Sequence, residues 1–318
     1  MRTHKYRTTD VAVDGGTLHA GVWEPVETIE GAEVPTALLI HGITASHLAW
    51  PFVVAQLPDH RVIAPDLRGR GGSHAVAGRS SMRAHAADMQ ALLDACGAES
   101  AAVVGHSMGA FVAVVLADTA PDRVTRLVLV DGGLPFDVPA MPDLEPEEVV
   151  NAILGPTAER LSKRFADVEE YLAFWRAHPA FQESWSREVE QYFAYDLVPV
   201  GSSLRPATSL ETTIEDMLDL NTGSTLTDAL ARVAGPHAVR DAGQPSVLFY
   251  TVPRGLQNEV PGLYPPGYVE GLLAQHPVLE HHRFEELNHY SVVMTERGAA
   301  VLGGPLREAI TERPAAVG

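Results

Sequence analysis

The segment Ala101-Ala-Val-Val-Gly105-His106-Ser107-Met108-Gly109-Ala110-Phe111 constrains this chain more than any other. A short apolar run of buried-strand type enters Gly-x-Ser-x-Gly, and an apolar helix follows at once. A serine on so tight a strand-to-helix turn needs residues without a Cβ at both flanks, which Gly105 and Gly109 supply. The unpaired N–H groups of the helix that begins there are available to an oxyanion developing beside the serine.

The surrounding pattern agrees with that turn. Arg7–Val13 and Leu18–Trp23 alternate as strands around Asp14-Gly15-Gly16, which predicts an N-terminal antiparallel hairpin. Buried-strand runs follow at Thr36–Ile40 and Arg61–Ala64, then helical periodicity from Ser81 to Cys96, the strand Ala101–Val104, a helix over Ser107–Asp118 and a strand over Arg126–Val130. Apolar strands alternating with helices specify an α/β fold with a mostly parallel sheet covered on both faces. The alternation stops at Asp131-Gly132-Gly133. From Leu134 to Gly235 only helical segments are expected, at Glu145–Leu154, Val168–Ala177, Glu183–Tyr195 and Thr212–Leu220, with Leu226–Val233 leading back. Strands resume at Ser246–Thr251 and Leu279–Glu285, and Val292–Ile310 closes the chain with a bend at Gly303-Gly304-Pro305. The expected organisation is a core of residues 1–133 and 236–318 with an inserted helical cap at 134–235.

Composition narrows the partners. A formal net charge of −18 repels phosphate backbones and anionic lipid, so neither nucleic acid nor a membrane surface is an expected partner. Cys96 is the only cysteine, which excludes an intrachain disulfide and a thiolate metal cluster. Met1–Asp14 is polar and holds no apolar leader core, and no run reaches the ~18 apolar residues of a membrane span; the cytoplasm is the expected compartment. An exposed helix of the insertion offers a surface for a homo-oligomer. No cofactor is implied, and no metal: His281-His282, adjacent on a strand, would point to opposite faces.

The ordered motifs resemble those of the α/β-hydrolase fold family. His41-Gly42-Ile43-Thr44 resembles the family's oxyanion loop, and Pro65-Asp-Leu-Arg-Gly-Arg-Gly-Gly-Ser73 its Asp-x-Arg-Gly-x-Gly-x-Ser loop. Asn288-His289-Tyr290 stands where the family carries its catalytic histidine. The resemblance implies Ser107 as nucleophile, His289 as general base, and backbone N–H groups of Met108, Ile43 and Gly42 as the oxyanion hole, with His41 and His106 as scaffold.

The acid has two candidates. Asp131 ends the strand next to that of Ser107, at the sheet edge where strand C-termini converge on a crevice. Glu259 is the carboxylate after the later strand, where most of the family places its acid, but the usual Gly-x-x-Asp pattern is missing there. Asp131 is favoured, as in a minority of family members.

The insertion carries Phe136, Phe165, Tyr171, Phe174, Trp175, Phe181, Trp185, Tyr192, Phe193 and Tyr195. Most are expected to pack the insertion's own core, with Trp185 as the candidate substrate-binding residue. Its organisation is similar to that of zearalenone lactone hydrolases, which implies a small-molecule ester or lactone substrate of apolar or aromatic character. Carbon–carbon bond hydrolases of ring-cleavage diketones, haloperoxidase-like perhydrolases and a non-enzymatic ligand receptor on the same scaffold are the alternatives. Haloalkane dehalogenases and epoxide hydrolases carry Asp where Ser107 stands.

Overall fold

A computed structural model describes residues 3–28, 34–137, 145–222, 224–236 and 247–311. Its strands are β1 (His4–Val13), β2 (Gly16–Pro25), β3 (Thr36–Ile40), β4 (Arg61–Pro65), β5 (Ala101–His106), β6 (Val124–Val130), β7 (Leu197–Val200), β8 (Ser203–Pro206), β9 (Val247–Thr251) and β10 (Leu279–Arg283). Eight form one sheet in the order β1-β2-β4-β3-β5-β6-β9-β10. Within it β2 runs antiparallel to both its neighbours, and every pair from β4 to β10 is parallel. The predicted hairpin and parallel core are therefore both present. Ser246, the predicted start of β9, lies outside the described residues.

The apolar runs are continuous because both faces of the sheet are buried. Leu38, Ile40, Val103, Leu127, Leu129 and Phe249 face one core. Their alternate neighbours Leu39, Val104, Val128, Val130, Leu248 and Tyr250 face another. The first core is completed by α1 (Met82–Ala95) and α2 (Met108–Thr119). Every residue of α2 from Met108 to Ala117 is buried, as its apolar composition requires, whereas α1 starts on a conventional cap, with Ser81 Oγ accepting from Ala84 N.

Between β6 and β9 lie α3 (Pro146–Leu154), α4 (Pro156–Ser162), α5 (Val168–Arg176), α6 (Arg187–Tyr195), α7 (Leu210–Asn221) and α8 (Thr225–Val233). The expectation of helices alone is corrected here, because β7 and β8 form a two-stranded antiparallel hairpin, extended by a bridge between Phe165 and Leu204. These strands are four residues long, partly exposed and interrupted by Pro199, so they leave no buried-strand signature. The helix α4 was likewise not anticipated. After β9 come α9 (Pro266–Gln275), a single turn at Ser291–Met294 and α10 (Glu296–Thr311). The predicted bend at Gly303-Gly304-Pro305 does not occur, and α10 runs through Pro305; the break falls at Thr295. Among the described residues no helix is long and apolar enough to cross a membrane.

One carboxylate organises the loops above β3 and β4. Asp66 is fully buried; Oδ1 accepts from His47 N at 2.7 Å and His47 Nδ1 at 2.8 Å, Oδ2 from Gly72 N at 2.7 Å and the Tyr195 hydroxyl at 2.6 Å. Burial alone would raise its pKa, but the charge and hydrogen bond of His47, then His41 and Tyr195, overcome this and lower it to about 2. His19, His47 and Asp66 bring metal-capable atoms within 4.8 Å of one another. Both ring nitrogens of His47 are engaged, Nδ1 donating to Asp66 and Nε2 accepting from the Tyr6 hydroxyl, and His19 Nδ1 donates to Asp10. That cluster is a hydrogen-bonded junction.

Two stability outcomes are expected. Leu127→Ala, in the middle of a fully buried strand, should lower the unfolding free energy by about 2–5 kcal/mol in urea denaturation. Asp66 has a folded pKa below its unfolded value, so its contribution is complete above about pH 4 and is lost as pH falls toward 2. The stability gap between the wild type and Asp66→Asn should narrow by about 2 kcal/mol across that window. A constant gap would contradict the assignment.

Candidate active site

Ser107 sits between β5 and α2 with φ 54° and ψ −126°, a conformation that L-residues adopt only under constraint. The constraint is close packing. A Cβ on Gly105 would lie 2.3 Å from Gly109 O, and one on Gly109 would lie 2.0 Å from Ile40 O. Ser107 N is held by Val130 O at 3.0 Å. The serine thereby occupies the N-terminal end of α2, where Met108 N–H has no helical acceptor.

Asp131 leaves β6 beside it, also left-handed at φ 47°, with its N–H donating to Tyr250 O at 2.7 Å. A Cβ on Gly132 would lie 2.2 Å from Ser107 O, so the chain passes directly against the serine turn. Asp131 Oδ2 accepts from His289 Nδ1 at 2.7 Å, and both side chains are shielded, at 0% and 2% exposure. The carboxylate fixes the proton on Nδ1 and leaves Nε2 as the basic nitrogen. The Ser107 hydroxyl has no hydrogen-bond partner among the described residues, and it shares the lining of two cavities with His289.

The histidine loop is held at its backbone. His289 N donates to Arg254 O at 3.0 Å, and His289 O accepts from His106 Nε2 at 2.8 Å. Asn288 Oδ1 accepts from Tyr290 N and Ser291 N, while Asn288 Nδ2 donates to Ala180 O at 3.0 Å. Burial and then the neighbouring His289 push the His106 pKa well below its usual value, so His106 acts as a neutral donor. His41 is neutral too, lowered to about 4 by burial. Its Nδ1 donates to Gly42 O at 2.7 Å and its Nε2 accepts from Leu67 N at 3.0 Å. Both are structural, as the sequence implies.

Gly42 closes the site from the other side, since a Cβ there would come within 3.1 Å of Ser107 Cβ. The sequence-predicted Gly42, Ile43, Met108, Ser107, Asp131 and His289 are thus brought together. Glu259 is not. It is exposed, and its Oε2 accepts from Gln257 N at 2.6 Å, closing its own turn. Trp185 is also placed elsewhere. Its ring stacks on Phe193 and under the Arg176 guanidinium, outside the linings of these two cavities.

The cavities are two lobes of about 30 Å³ each that share Ile43, Ser107, Leu154, Leu256 and His289. One adds polar groups, among them Thr44, Thr157, Tyr192 and Tyr290. The other is lined by Met108, Phe136, Ile153, Met217, Leu220 and Leu263. Phe136 and Tyr192 are the insertion aromatics that reach the site, whereas Phe165, Tyr171, Trp175, Phe181 and Phe193 pack on one another. Met217 and Leu220, three apart on α7, were missed in the sequence, where their helical spacing reads as core packing.

Comparison with known proteins follows from this geometry. Residues 35–198 match the sequence profile of the alpha/beta hydrolase fold. Lipase LipV of Mycobacterium tuberculosis is 36% identical over 141 residues, which is 42% of this chain and 52% of that protein, so the chain spans about half of this relative. It spans 31% of a Mycobacterium bovis protein that is 42% identical over 106 residues. RutD of Azorhizobium caulinodans is 29% identical over 213 residues, covering 63% of this chain and 80% of RutD. Among solved structures, E-2-(acetamidomethylene)succinate hydrolase superposes with a TM-score of 0.69 at 20% identity, covering 97% of this chain and all 100% of its own. Peroxisomal Lpx1 from Saccharomyces cerevisiae gives 0.70 at 15% identity, covering 99% and 92%. At these identities the structures speak for the fold, and together with the profile match over more than half of its length they place the chain in the α/β-hydrolase fold family.

Proposed function

We propose that this protein is a serine hydrolase of a carboxylic ester or lactone with an apolar or aromatic substrate, working through an acyl-enzyme. The observation that carries the reading is the buried 2.7 Å contact of His289 with Asp131 beside a serine in a constrained backbone turn. Ser107 Oγ attacks the carbonyl carbon as His289 Nε2 takes its proton. The oxyanion rests on the N–H groups of Met108 and Ile43, with Gly42 lining the same space. The imidazolium, stabilised by Asp131, returns the proton to the leaving alcohol, and water attacks the acyl-enzyme with His289 again as base.

The apolar walls of the two lobes that meet at Ser107 support an apolar or aromatic substrate, and because a lobe of about 30 Å³ holds little more than a water, an ester or lactone as large as a resorcylic macrolactone such as zearalenone enters only as the segment over Ser107 opens. In this reading residues 134–235 form a cap over the site, contributing Phe136, Ile153, Leu154, Thr157, Tyr192, Met217 and Leu220 to its walls. An acid at Asp131, directly after β6, favours this reading over a carbon–carbon bond hydrolase, whose acid usually follows the later strand.

Steady-state hydrolysis of p-nitrophenyl butyrate, with chromatography of zearalenone and a vinylogous diketone, tests the reading. Ser107→Ala should reduce turnover to background. Asp131→Asn should lower kcat by about 10²–10⁴, and Glu259→Gln should stay within about two-fold. Turnover of the diketone alone would refute the ester assignment, and binding without turnover of any of the three would favour a receptor.

A further inference from the structure

Two arginines that belong to neither the serine turn nor the histidine loop hold consecutive carbonyls of the oxyanion loop. Arg70 and Arg160 are 0% and 1% exposed. Arg70 Nε donates to Ile43 O at 2.7 Å, and Arg160 Nη2 donates to Thr44 O at 3.2 Å. Each is paired with a carboxylate from the segment between β6 and β9. Arg70 Nη1 lies 2.7 Å from Asp216 Oδ2, a charge contact without hydrogen-bond alignment, and Arg160 Nη1 donates to Asp196 Oδ2 at 2.8 Å. The carboxylates are themselves held, Asp216 by Ser80 and His85, Asp196 by Tyr171 and Thr208.

Burying two guanidinium groups is costly, and packing alone does not require it. Their placement has a chemical consequence. Arg160 donates to the Thr44 carbonyl; the N–H of that same peptide, on Ala45, donates to Gly42 O at 3.2 Å; and the N–H of the Gly42 peptide is that of Ile43. In trans peptides the C=O and the following N–H point in opposite directions, so each outward-held carbonyl aims the next N–H the other way. A charge-assisted bond at the start of such a chain polarises every donor along it.

We infer that Arg160 and Arg70 are positioning residues of the oxyanion loop, Arg160 polarising the Ile43 amide through the Thr44 and Gly42 peptides and Arg70 fixing the intervening Ile43–Thr44 peptide, and that they make the loop depend on the docking of α4, α6 and α7. This inference rests on the hydrolase reading of Ser107. The arginines act on the oxyanion only through the loop peptides. Substrate binding therefore does not need them, while stabilisation of the tetrahedral intermediate does.

The test uses Arg160→Met, Arg160→Lys and Arg70→Lys in the full chain, each checked for folding by circular dichroism. With p-nitrophenyl butyrate, Arg160→Met should lower kcat about ten-fold or more at a KM within about two-fold, and Arg160→Lys should recover part of the loss. Affinity for butylboronic acid, whose serine adduct carries a tetrahedral oxygen, should fall in proportion to kcat. Hydrogen exchange of the amides of residues 42–45 should accelerate in all three variants. Folded variants that keep the wild-type kcat, boronate affinity and loop exchange overturn the inference, as does a loss that falls on KM alone. If the wild type hydrolyses no ester, the hydrolase reading fails separately. Loop exchange then decides alone: faster exchange keeps the clamp, and unchanged exchange removes it.

Discussion

Everything at the site hangs on how closely two strand exits pass. Ser107 O would meet a Cβ of Gly132 at 2.2 Å, and Ser107 N is tied to Val130 O. That contact locks the exits of β5 and β6 into one unit, and it accounts for the two left-handed non-glycine residues that flank it, Ser107 and Asp131. Neither would hold such a conformation by itself. The strain is sustained by the sheet, because β5 and β6 are fully paired and buried on both faces. A carboxylate delivered this way needs no loop to place it. It is as rigid as the strand, whereas one on the later loop would rest on the turn that Glu259 closes on itself.

Polar groups at the top of the sheet are placed with the same economy. His41 and His106 are buried imidazoles kept neutral by desolvation, each bonded to a backbone carbonyl of the site. A neutral ring in a dry interior offers direction without adding a charge that would compete with His289. The buried ions are paired instead on the outer side of the oxyanion loop, as Arg70 with Asp216 and Arg160 with Asp196. Such pairs contribute little net stability compared with well-packed apolar side chains, so their retention speaks for geometry.

Much of this was legible in the sequence, and the reasons divide cleanly. The sheet was readable because strands buried on both faces leave apolar runs such as Thr36–Ile40 and Leu127–Val130. The serine turn was readable because its glycines are steric necessities. Asp131 stood out by its position at a strand end and His289 by its match to the family's histidine position, and the structure places the two side chains in contact. The hairpin β7–β8 escaped because four-residue, half-exposed strands carry no period. For Trp185 the sequence leaves the direction open, because an aromatic in an amphipathic insertion can face either its own core or the site and spacing along the chain does not say which; in the structure it stacks on Phe193. The roles of Arg70 and Arg160 were invisible for another reason. Their partners Ile43 O and Thr44 O are backbone atoms, which have no letter in a sequence.

The Tyr195 hydroxyl, which donates to Asp66 and accepts from Gly72 N, adds a further polar tie between the segment after β6 and the loops of the sheet. With the Arg70–Asp216 pair, the bond from Arg160 to Thr44 O and the bond from Asn288 to Ala180 O, it makes that segment part of the core's wiring. For recombination between relatives this has a direct meaning. A foreign helical segment spliced in at the ends of β6 and β9 would bring new pocket walls but strip partners from Asp66, Arg70 and Asn288. Segment swapping would then call for donors that carry a matching tyrosine and carboxylates, whereas point changes at Met217, Leu220 and Phe136 would alter the cavity wall and leave those ties in place.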